Sequence, residues 1–379
     1  MNYEDTQEQQ ILRETVRDFA RAEIAPHSLE WDEEQIFPVD TMKDLGRLGL
    51  LGVLVEEEYG GAGMGYPEYV TVIEEIARVD GSIALSVAAH NSLCSGHINL
   101  EGSQEQKKKY LSRLASGEHL GAWALTEPGS GSDAAACSTA AKKTDDGWVI
   151  NGNKNFCTHA TYADTYVIMA VTDPEAGTHG ISAFIVEGGN PGLIPAKKEN
   201  KLGCRSSDTA SLTLENCQVP EDALLGSLNE GFVSALKVLD GGRISIAAMA
   251  LGIARGALDA SIKYSQEREQ FGRPIAKFQG IQWYLSEMAT RIEAARLLTY
   301  NAAHVKQRKG ACPMESSMAK LYASETSVWA SDKAIQIHGG YGYIKDYPPE
   351  KCWRDAKLTT IGEGTSEIQR LVIARELLK

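Results

Sequence analysis

Glu363 is a carboxylate with small neighbours, because Gly362 precedes it and Gly364 follows it. Thr365 is of a residue type that caps helix N-termini, so a terminal helix is predicted to begin just after Glu363. A carboxylate without bulky neighbours and with free backbone donors around it could act as a general base on a substrate carbon. An acidic residue that complements the helix dipole is the other interpretation, and this segment alone leaves both open.

Two further segments could hold a ring or a phosphate. Residues 125–133 read LTEPGSGSD, and their glycines, hydroxyls and free N–H groups can wrap such a ligand because nothing bulky intervenes. In residues 151–160, Phe156 lies two positions before Thr158, which places an aromatic ring near a hydroxyl donor. An ordinary Gly/Ser loop and a hairpin with Phe156 in the core are the alternatives.

A long helix predicted from about Ser234 ends in a basic segment, residues 268–274, with the sequence REQFGRP. Two guanidiniums near a helix end suit a diphosphate, although a solvated helix terminus is equally compatible. The same helix contains Gly241 and Gly242, and each glycine inside a helix costs roughly 1 kcal/mol relative to alanine. The bare backbone therefore serves either the passage of a ligand chain or close helix packing.

Another predicted helix ends at Gly339 and Gly340. Exposed N–H groups there could receive a diphosphate oxygen, and a glycine C-cap is the alternative. His338, just before them, has no His, Asp or Glu at ligand spacing, so it is predicted to be packed rather than bound to metal. No metal site is expected.

Composition limits the possible classes of protein. The chain has 379 residues, 43% of them hydrophobic, which predicts two or three domains. A net charge of −13 disfavours nucleic acid as a partner. The seven cysteines are scattered without a CxxC pair, which argues against a disulfide framework or structural zinc. The acidic N-terminus, and the lack of an uninterrupted apolar run of about 20 residues, lead us to expect a cytoplasmic protein with no membrane partner.

Hydrophobic periodicity predicts an α+β fold that is mostly helical. Apolar residues recur at helical spacing from Leu12 to Ile24 and again from Ile281 to Val305, whereas short β-prone runs occupy the middle. We expect an N-terminal helical domain over 1–120, an antiparallel β domain over 121–225 and a C-terminal four-helix bundle over 226–379. No alternating βαβ units occur, so a doubly wound nucleotide-binding sheet is not expected.

Taken together, the order and spacing of these segments resemble the acyl-CoA dehydrogenase family along essentially the whole chain. The resemblance implies FAD as cofactor and dehydrogenation of an acyl-CoA thioester between its α and β carbons to the trans-2-enoyl-CoA. It also implies an electron-transfer flavoprotein as electron acceptor and a homotetramer as assembly. The chain is most similar to short-chain or short branched-chain members.

The resemblance also implies roles for individual residues. Glu363 falls on the catalytic base of the family, which takes the α-proton. Positions that contact the acyl-CoA are Ser132, Asp240, Arg243 and Gly364. Positions that contact FAD are Trp123, Leu125, Thr126, Gly131, Ser132, Phe156, Cys157, Thr158, Arg268, Phe271, Phe278, Gln279, Gln336, Gly339, Gly340, Thr365 and Glu367. Among these, the segments around Arg268, Gln279 and Gln336–Gly340 are implied to reach the FAD of a neighbouring subunit.

Several residues depart from the family's pattern. Phe156 replaces a tryptophan, and Cys157 replaces an aliphatic residue. Gly242 stands where one subgroup carries its base, which leaves Glu363 as the base. Gly362 stands where the family usually has tyrosine, which predicts a pocket widened near the thioester that admits branched or cyclic acyl groups. A flavin oxidase of the same fold and a non-catalytic FAD-binding scaffold are the alternative functions.

Overall fold

The computed structural model describes residues 6–379, and its first part is helical. The first helix begins at a capping box, in which the Thr6 hydroxyl accepts from the Gln9 N–H and the Gln9 side chain accepts from the Thr6 N–H. Val16, Ala20 and Ile24 are fully buried at four-residue spacing, which confirms the predicted apolar face. The helices are α1 Gln7–Phe19, α2 Ser28–Glu34, α3 Val39–Arg47, α4 Tyr66–Ala77, α5 Gly81–Ala88, α6 Gly96–Glu101 and α7 Gln104–Ala115.

The middle of the chain forms one eight-stranded sheet. Its strands are β1 Gly121–Ala124, β2 Ala140–Thr144, β3 Gly147–Thr158, β4 Thr165–Val171, β5 Ile181–Glu187, β6 Leu193–Pro195, β7 Thr209–Val219 and β8 Leu224–Leu225. Most pairings are antiparallel, as predicted. However, β4 pairs in parallel with β1 and, at one residue pair, with β2. Parallel neighbours need a long connection, and the chain between β1 and β4, which includes the β2–β3 hairpin, provides it.

The last part of the chain is helical again, with a short hairpin inserted after its first helix. The helices are α8 Gly231–Glu267, α9 Gln279–Lys309, α10 Pro313–His338, α11 Pro348–Thr359 and α12 Ser366–Leu377, and the hairpin pairs β9 Glu269–Gln270 with β10 Arg273–Pro274. Helix α10 packs against the other four helices. Among residues 6–379, α8 alone is long and apolar enough to cross a bilayer, and most of that stretch is buried inside the protein.

Two main hydrophobic cores organise the molecule. One core joins the N-terminal and C-terminal helices, with side chains from Val16 to Ala356 in a single cluster. A second core fills the space around the sheet, from Ala122 to Ala223. Helix α8 therefore runs between the N-terminal helices and α10, and the loop before α12 reaches α8 at Gly242.

Candidate active site

The loop that carries Glu363 has a strained backbone. Glu363 has φ +55° and Gly364 has φ +92°, both in the left-handed region. Side chains hold this loop from the inside: Lys320 Nζ donates to the Gly364 carbonyl at 2.5 Å, and Gln369 Nε2 donates to the same carbonyl at 2.9 Å. Thr365 caps α12 by accepting from the Ile368 N–H at 3.3 Å, as predicted.

The Glu363 carboxylate points at the bare backbone of α8. A Cβ atom at Gly242 would lie 1.7 Å from Glu363 Oε2, and one at Gly241 would lie 2.7 Å from the Tyr66 hydroxyl. The two glycines therefore make room for side chains from other elements. Oε2 is shielded from solvent and has no hydrogen-bond partner among residues 6–379. The backbone N–H of Glu363 likewise makes no backbone hydrogen bond within those residues.

The surroundings of Glu363 shift its pKa toward physiological pH. Burial raises the pKa of Glu363 to about 7, while the nearby charges of Lys320 and Arg243 act in the opposite direction. A carboxyl with a pKa close to physiological pH can accept a proton and release it again at low cost. This property favours the general base over the helix-dipole interpretation.

Asp240 and Arg243, one turn apart around Gly242, form a buried ion pair. Arg243 Nη1 donates to Asp240 Oδ1 at 2.8 Å, and each residue is 7% exposed. Arg243 Nε has no hydrogen-bond partner within the described residues. The structure thus brings these two predicted substrate contacts to the same stretch of α8 as the Glu363 carboxylate.

A buried ion pair that sequence reasoning missed fixes the loop after β1. Glu127 accepts from Lys154 Nζ at 2.7 Å, from the Ser138 N–H at 2.8 Å and from the Thr139 N–H at 3.0 Å. Lys154 Nζ also donates to the Leu125 carbonyl at 3.2 Å. Lys154 lies on β3 just before the predicted ring-contacting residues, so this pair ties the 125–133 loop to that strand.

The end of β3 presents its predicted ring-contacting residues in three different environments. Phe156 is 67% exposed, so the alternative that it lies in the core is wrong. Its φ of +54° and a register shift against β7 between Lys154 and Cys157 turn the ring outward. Cys157 is instead buried, with Sγ 3.6 Å from the Trp123 carbonyl. The Thr158 hydroxyl makes no hydrogen bond within the described residues.

Trp123 and the glycine-rich loop lie next to this strand. The Asn155 N–H donates to the Thr126 carbonyl at 2.8 Å, which joins the loop to β3. Trp123 Nε1 donates to His97 Nδ1 at 3.0 Å, and His97 Nε2 bonds the Ser234 hydroxyl at 2.8 Å. His97 is a further supporting residue that no local sequence signal indicated. Gly131 and Ser132 are exposed at the loop surface.

The other predicted FAD contacts form a separate group at the far ends of α8 and α10 and the start of α9. Arg268 lies over the Tyr341 ring at 5.5 Å, and Phe271, 94% exposed, contacts Phe278 edge-on at 6.0 Å. Gln279, Gln336, Gly339 and Gly340 are all exposed. Tyr264 stacks on His338 at 4.2 Å, which joins α8 to α10 and confirms that His338 is packed.

Gly339 is a helix C-cap with φ +61°, and its N–H bonds the Gln336 carbonyl, so the capping interpretation is confirmed. The N–H of Gly339 is thereby already engaged within the chain. None of the described contacts joins this second group to Glu363. Within one chain this group thus lies apart from the predicted FAD contacts around Phe156, as the implied contact to a neighbouring subunit requires.

An open cavity of about 510 Å³ lies between α10, α11 and α12. Thr365 and Glu367, both predicted FAD contacts, line it at the start of α12, just after the Glu363 loop. The remaining lining residues are Glu325, Val328, Trp329, Asp332, Trp353, Lys357, Thr360, Ile361 and Ser366. The cavity offers aromatic walls beside carboxylates and hydroxyls, as expected for a nucleotide-like ligand.

Comparisons with known proteins agree with this order of a helical part, a sheet and a second helical part. Family models for the N-terminal, middle and C-terminal domains of acyl-CoA dehydrogenases match residues 6–118, 122–217 and 229–378. The short-chain specific acyl-CoA dehydrogenase of Clostridium acetobutylicum is 46% identical, with 100% of both chains covered. The chain belongs to the acyl-CoA dehydrogenase family and is an oxidoreductase acting on acyl-CoA.

Solved structures give the same result. The butyryl-CoA dehydrogenase of Megasphaera elsdenii has a TM-score of 0.98 at 42% identity, with 100% of both chains covered. A chain from a structure of the electron-transferring flavoprotein of Acidaminococcus fermentans has a TM-score of 0.99 at 45% identity, again with 100% of both covered. Membership of an enzyme family favours the enzyme over the non-catalytic scaffold.

FAD is the cofactor of this chain, and the residues present fit it. The exposed ring of Phe156 provides a stacking surface next to the unengaged hydroxyl of Thr158. The cavity beside Thr365 and Glu367 offers room for the nucleotide part. Replacement of the family's tryptophan by Phe156 preserves an aromatic face and removes the indole N–H.

Proposed function

We propose that this protein removes two hydrogens from the α and β carbons of a short acyl-CoA, with Glu363 as the base that takes the α-proton. The observation that carries the proposal is the Glu363 carboxylate itself, whose Oε2 is buried, unpaired and directed at a bare stretch of α8. A pKa of about 7 gives this group a large ionised fraction at physiological pH. The other glutamates that are buried among residues 6–379, Glu74, Glu75 and Glu127, are engaged in ion pairs.

The chain's own residues would position the thioester and stabilise its charge. The free N–H of Glu363 can donate to the thioester carbonyl as negative charge develops there. The Asp240–Arg243 pair borders the same space and can contact the CoA chain. Phe156 and Thr158 would orient the cofactor ring. When bound, FAD supplies the hydride acceptor for the β-carbon.

The space beside Gly362 bears on the choice of acyl group. A Cβ at Gly362 would have the Leu358 carbonyl as nearest atom at 3.6 Å, so a side chain fits there without a clash. The names of two relatives, short-chain specific and butyryl-CoA dehydrogenase, support a short acyl chain. The missing side chain supports branched or cyclic groups. A strict preference for linear chains that Gly362→Tyr leaves unchanged would contradict this part of the proposal.

The electron acceptor, the assembly and the location are also proposals. The structural likeness to a chain solved with an electron-transferring flavoprotein supports such a protein as acceptor. The exposed group around Phe271 and Phe278 supports a homotetramer in which each chain contributes to its neighbour's FAD. We propose a cytoplasmic location on the basis of the seven cysteines, all of which are free, as is typical of a reducing compartment.

The decisive experiment is anaerobic mixing of the FAD-loaded protein with linear, branched and cyclic acyl-CoAs. We expect the flavin absorbance to bleach with short acyl-CoAs. Glu363→Gln should lower the bleaching rate by about 10²- to 10⁴-fold while retaining FAD, because the base is lost. Glu105→Gln, a change at an exposed carboxylate of α7, is the matched control and should leave the rate unchanged.

An undiminished rate in folded, FAD-loaded Glu363→Gln would refute the assignment of the base. Reoxidation of the bleached protein separates the two remaining electron acceptors. Rapid reoxidation by an electron-transfer flavoprotein with slow reoxidation by oxygen supports the dehydrogenase. The reverse pattern indicates the oxidase alternative.

A further inference from the structure

Lys320 is a fully buried lysine of α10 that has no assigned role. Its exposure is 0%, and its Nζ makes one hydrogen bond, to the Gly364 carbonyl at 2.5 Å. It forms no ion pair with any carboxylate in the described part of the chain. An ammonium has three protons to donate, so this group is buried with fewer partners than it can use. Such an arrangement costs stability and requires an explanation.

The carbonyl that Lys320 contacts belongs to the residue after Glu363. Gln369 Nε2 bonds this same carbonyl and also the Glu363 carbonyl, at 2.9 and 3.3 Å. Together the two donors hold the backbone of a loop in which Glu363 itself has φ +55°. A non-glycine residue persists in the left-handed region only where its surroundings impose it. Lys320 therefore helps to impose the conformation that directs the carboxylate at Gly242.

The charge of Lys320 acts on the same carboxylate. Burial raises the pKa of Glu363 to about 7, and Lys320 is the strongest of the cations that oppose this rise, ahead of Arg243 on α8. Burial also lowers the pKa of Lys320 to about 8, against the attraction of Glu363 and Glu367. The hydroxyl of Tyr69, on α4, is the other titratable group coupled to Glu363. Each of the two buried charges thus stabilises the other's ionised form.

We propose that Lys320 is a positioning residue of the reaction, which fixes the Glu363 loop through the Gly364 carbonyl and keeps Glu363 ionised before substrate binds. This inference rests on the proposed role of Glu363 as the base. It assigns to α10 a part in catalysis that the family resemblance had not given it. Lys320 touches neither the thioester nor the cofactor ring in this scheme and acts only through Glu363.

The test removes the charge and follows the titration of Glu363 by two methods. In Lys320→Met we expect the titration midpoint of the Glu363 carboxyl to rise by about one pH unit, because the cation that acts on it most strongly is lost. Infrared difference spectra of the carboxyl stretch, with Glu363→Gln as the subtracted reference, report this midpoint without turnover. At pH 7 the ionised fraction should fall from about one half to about one tenth, so kcat/KM should fall about fivefold and recover at pH 9.

Two variants separate the effect of charge from a general loss of structure. Lys320→Arg retains the charge and should keep the infrared midpoint near that of the unmodified protein. Lys309→Met removes a positive charge from the exposed end of α9 and should change neither the midpoint nor kcat/KM. An unchanged midpoint in FAD-loaded Lys320→Met would overturn the proposal.

A reciprocal measurement does not require Lys320→Met to fold. Because the coupling between two sites is mutual, Glu363→Gln should lower the midpoint of Lys320 by a similar amount, measured by NMR of the labelled lysine side chain. An unshifted lysine midpoint overturns the inference. If Glu363→Gln retained full turnover, the assignment of the base would fail, while the infrared and NMR shifts would still report the coupling.

Discussion

Glu127 and Glu363 are two buried carboxylates, each next to a glycine-containing loop. They differ in their hydrogen-bond partners, and their pKa values shift in opposite directions. Glu127 is 4% exposed and accepts hydrogen bonds from Lys154, Ser138 and Thr139. Burial alone would raise its pKa, but the charge of Lys154 and the hydrogen bonds from Lys154, Ser138 and Cys137 together hold the pKa of Glu127 well below its usual range. Glu363 has a buried oxygen without a partner and a pKa raised to about 7.

The comparison shows that partners decide what a buried carboxylate does. A carboxylate with every acceptor site filled stays ionised and serves as a fixed anchor, as Glu127 does for the 125–133 loop. A carboxylate with an unpaired oxygen and no cation in direct contact is less stable in its charged form and therefore accepts a proton more readily. In the proposed mechanism the first carboxylate fixes the 125–133 loop and the second is the base.

The largest effect that tests this contrast is expected at the anchor. Lys154→Met leaves the Glu127 charge buried and unpaired, which should lower the free energy of unfolding by about 3–5 kcal/mol. Urea unfolding of the FAD-loaded protein measures this loss. Lys154→Met should also weaken FAD binding, because Lys154 bonds the Leu125 carbonyl in the loop beside the predicted ring-contacting residues.

The double variant Glu127→Gln with Lys154→Met provides the control for the anchor. Removing both charges leaves no unpaired charge buried, so the double variant should be less destabilised than Lys154→Met alone. Equal losses in the single and double variants would mean that the pair does not act as an anchor. If Lys154→Met lowered the free energy of unfolding by less than about 1 kcal/mol, as expected for an exposed pair, the pair would likewise not act as an anchor.

The next effect is expected where the reactive carboxylate meets α8. Gly242→Ala places a methyl group at the position that Glu363 Oε2 now occupies, 1.7 Å from the built Cβ. The flexible end of Glu363 can move away, so the protein should fold and bind FAD, yet the base is displaced. A misplacement of about 1 Å can cost about 10²-fold in rate, and we expect kcat to fall by that order.

Shortening the base provides a matched test of the same contact. Glu363→Asp withdraws the carboxylate from Gly242, so adding Gly242→Ala to the aspartate variant should cost much less than it costs in the unmodified protein. A double-mutant cycle on kcat measures this difference. Strictly additive effects would show that the two positions do not meet.

Features that depend on residues close together in sequence could be predicted. The cap at Thr365 and the glycines around Glu363 gave the place of the base, and helical periodicity gave the buried face from Val16 to Ile24. The partners of the two carboxylates could not be predicted in this way. Lys154 lies 27 residues after Glu127, and Lys320 bonds a carbonyl 44 residues further on. Contacts at such separations carry no period or turn signal.

Phe156 shows a different limit of sequence reasoning. An aromatic residue at the end of a strand is compatible with both the core and an exposed stacking surface, and only its φ of +54° with the register shift selects the second. The parallel pairing of β1 with β4 is a similar case, because the short strand GAWA has no feature that specifies its neighbour's direction. Tertiary context decides both outcomes.

The smallest effect is expected in stability, and its sign distinguishes the two glutamates. The pKa of Glu363 in the folded state, about 7, lies above the roughly 4.3 of an unfolded chain. Below about pH 4 the group is protonated in both states and contributes nothing. Above pH 7 it is ionised in both states, and its ionisation opposes folding. Glu363→Gln should therefore be more stable than the unmodified protein at pH 8, and this gain should disappear at pH 4.

For Glu127 the sign is reversed, because its pKa is depressed in the folded state. Its stabilising contribution is present above the pKa of the unfolded chain and is lost as the pH falls, so Glu127→Gln should cost most at pH 8. Unfolding of both variants at pH 4 and pH 8 makes the comparison. A stability gain for Glu363→Gln that is the same at both pH values would show that the buried charge is not its origin.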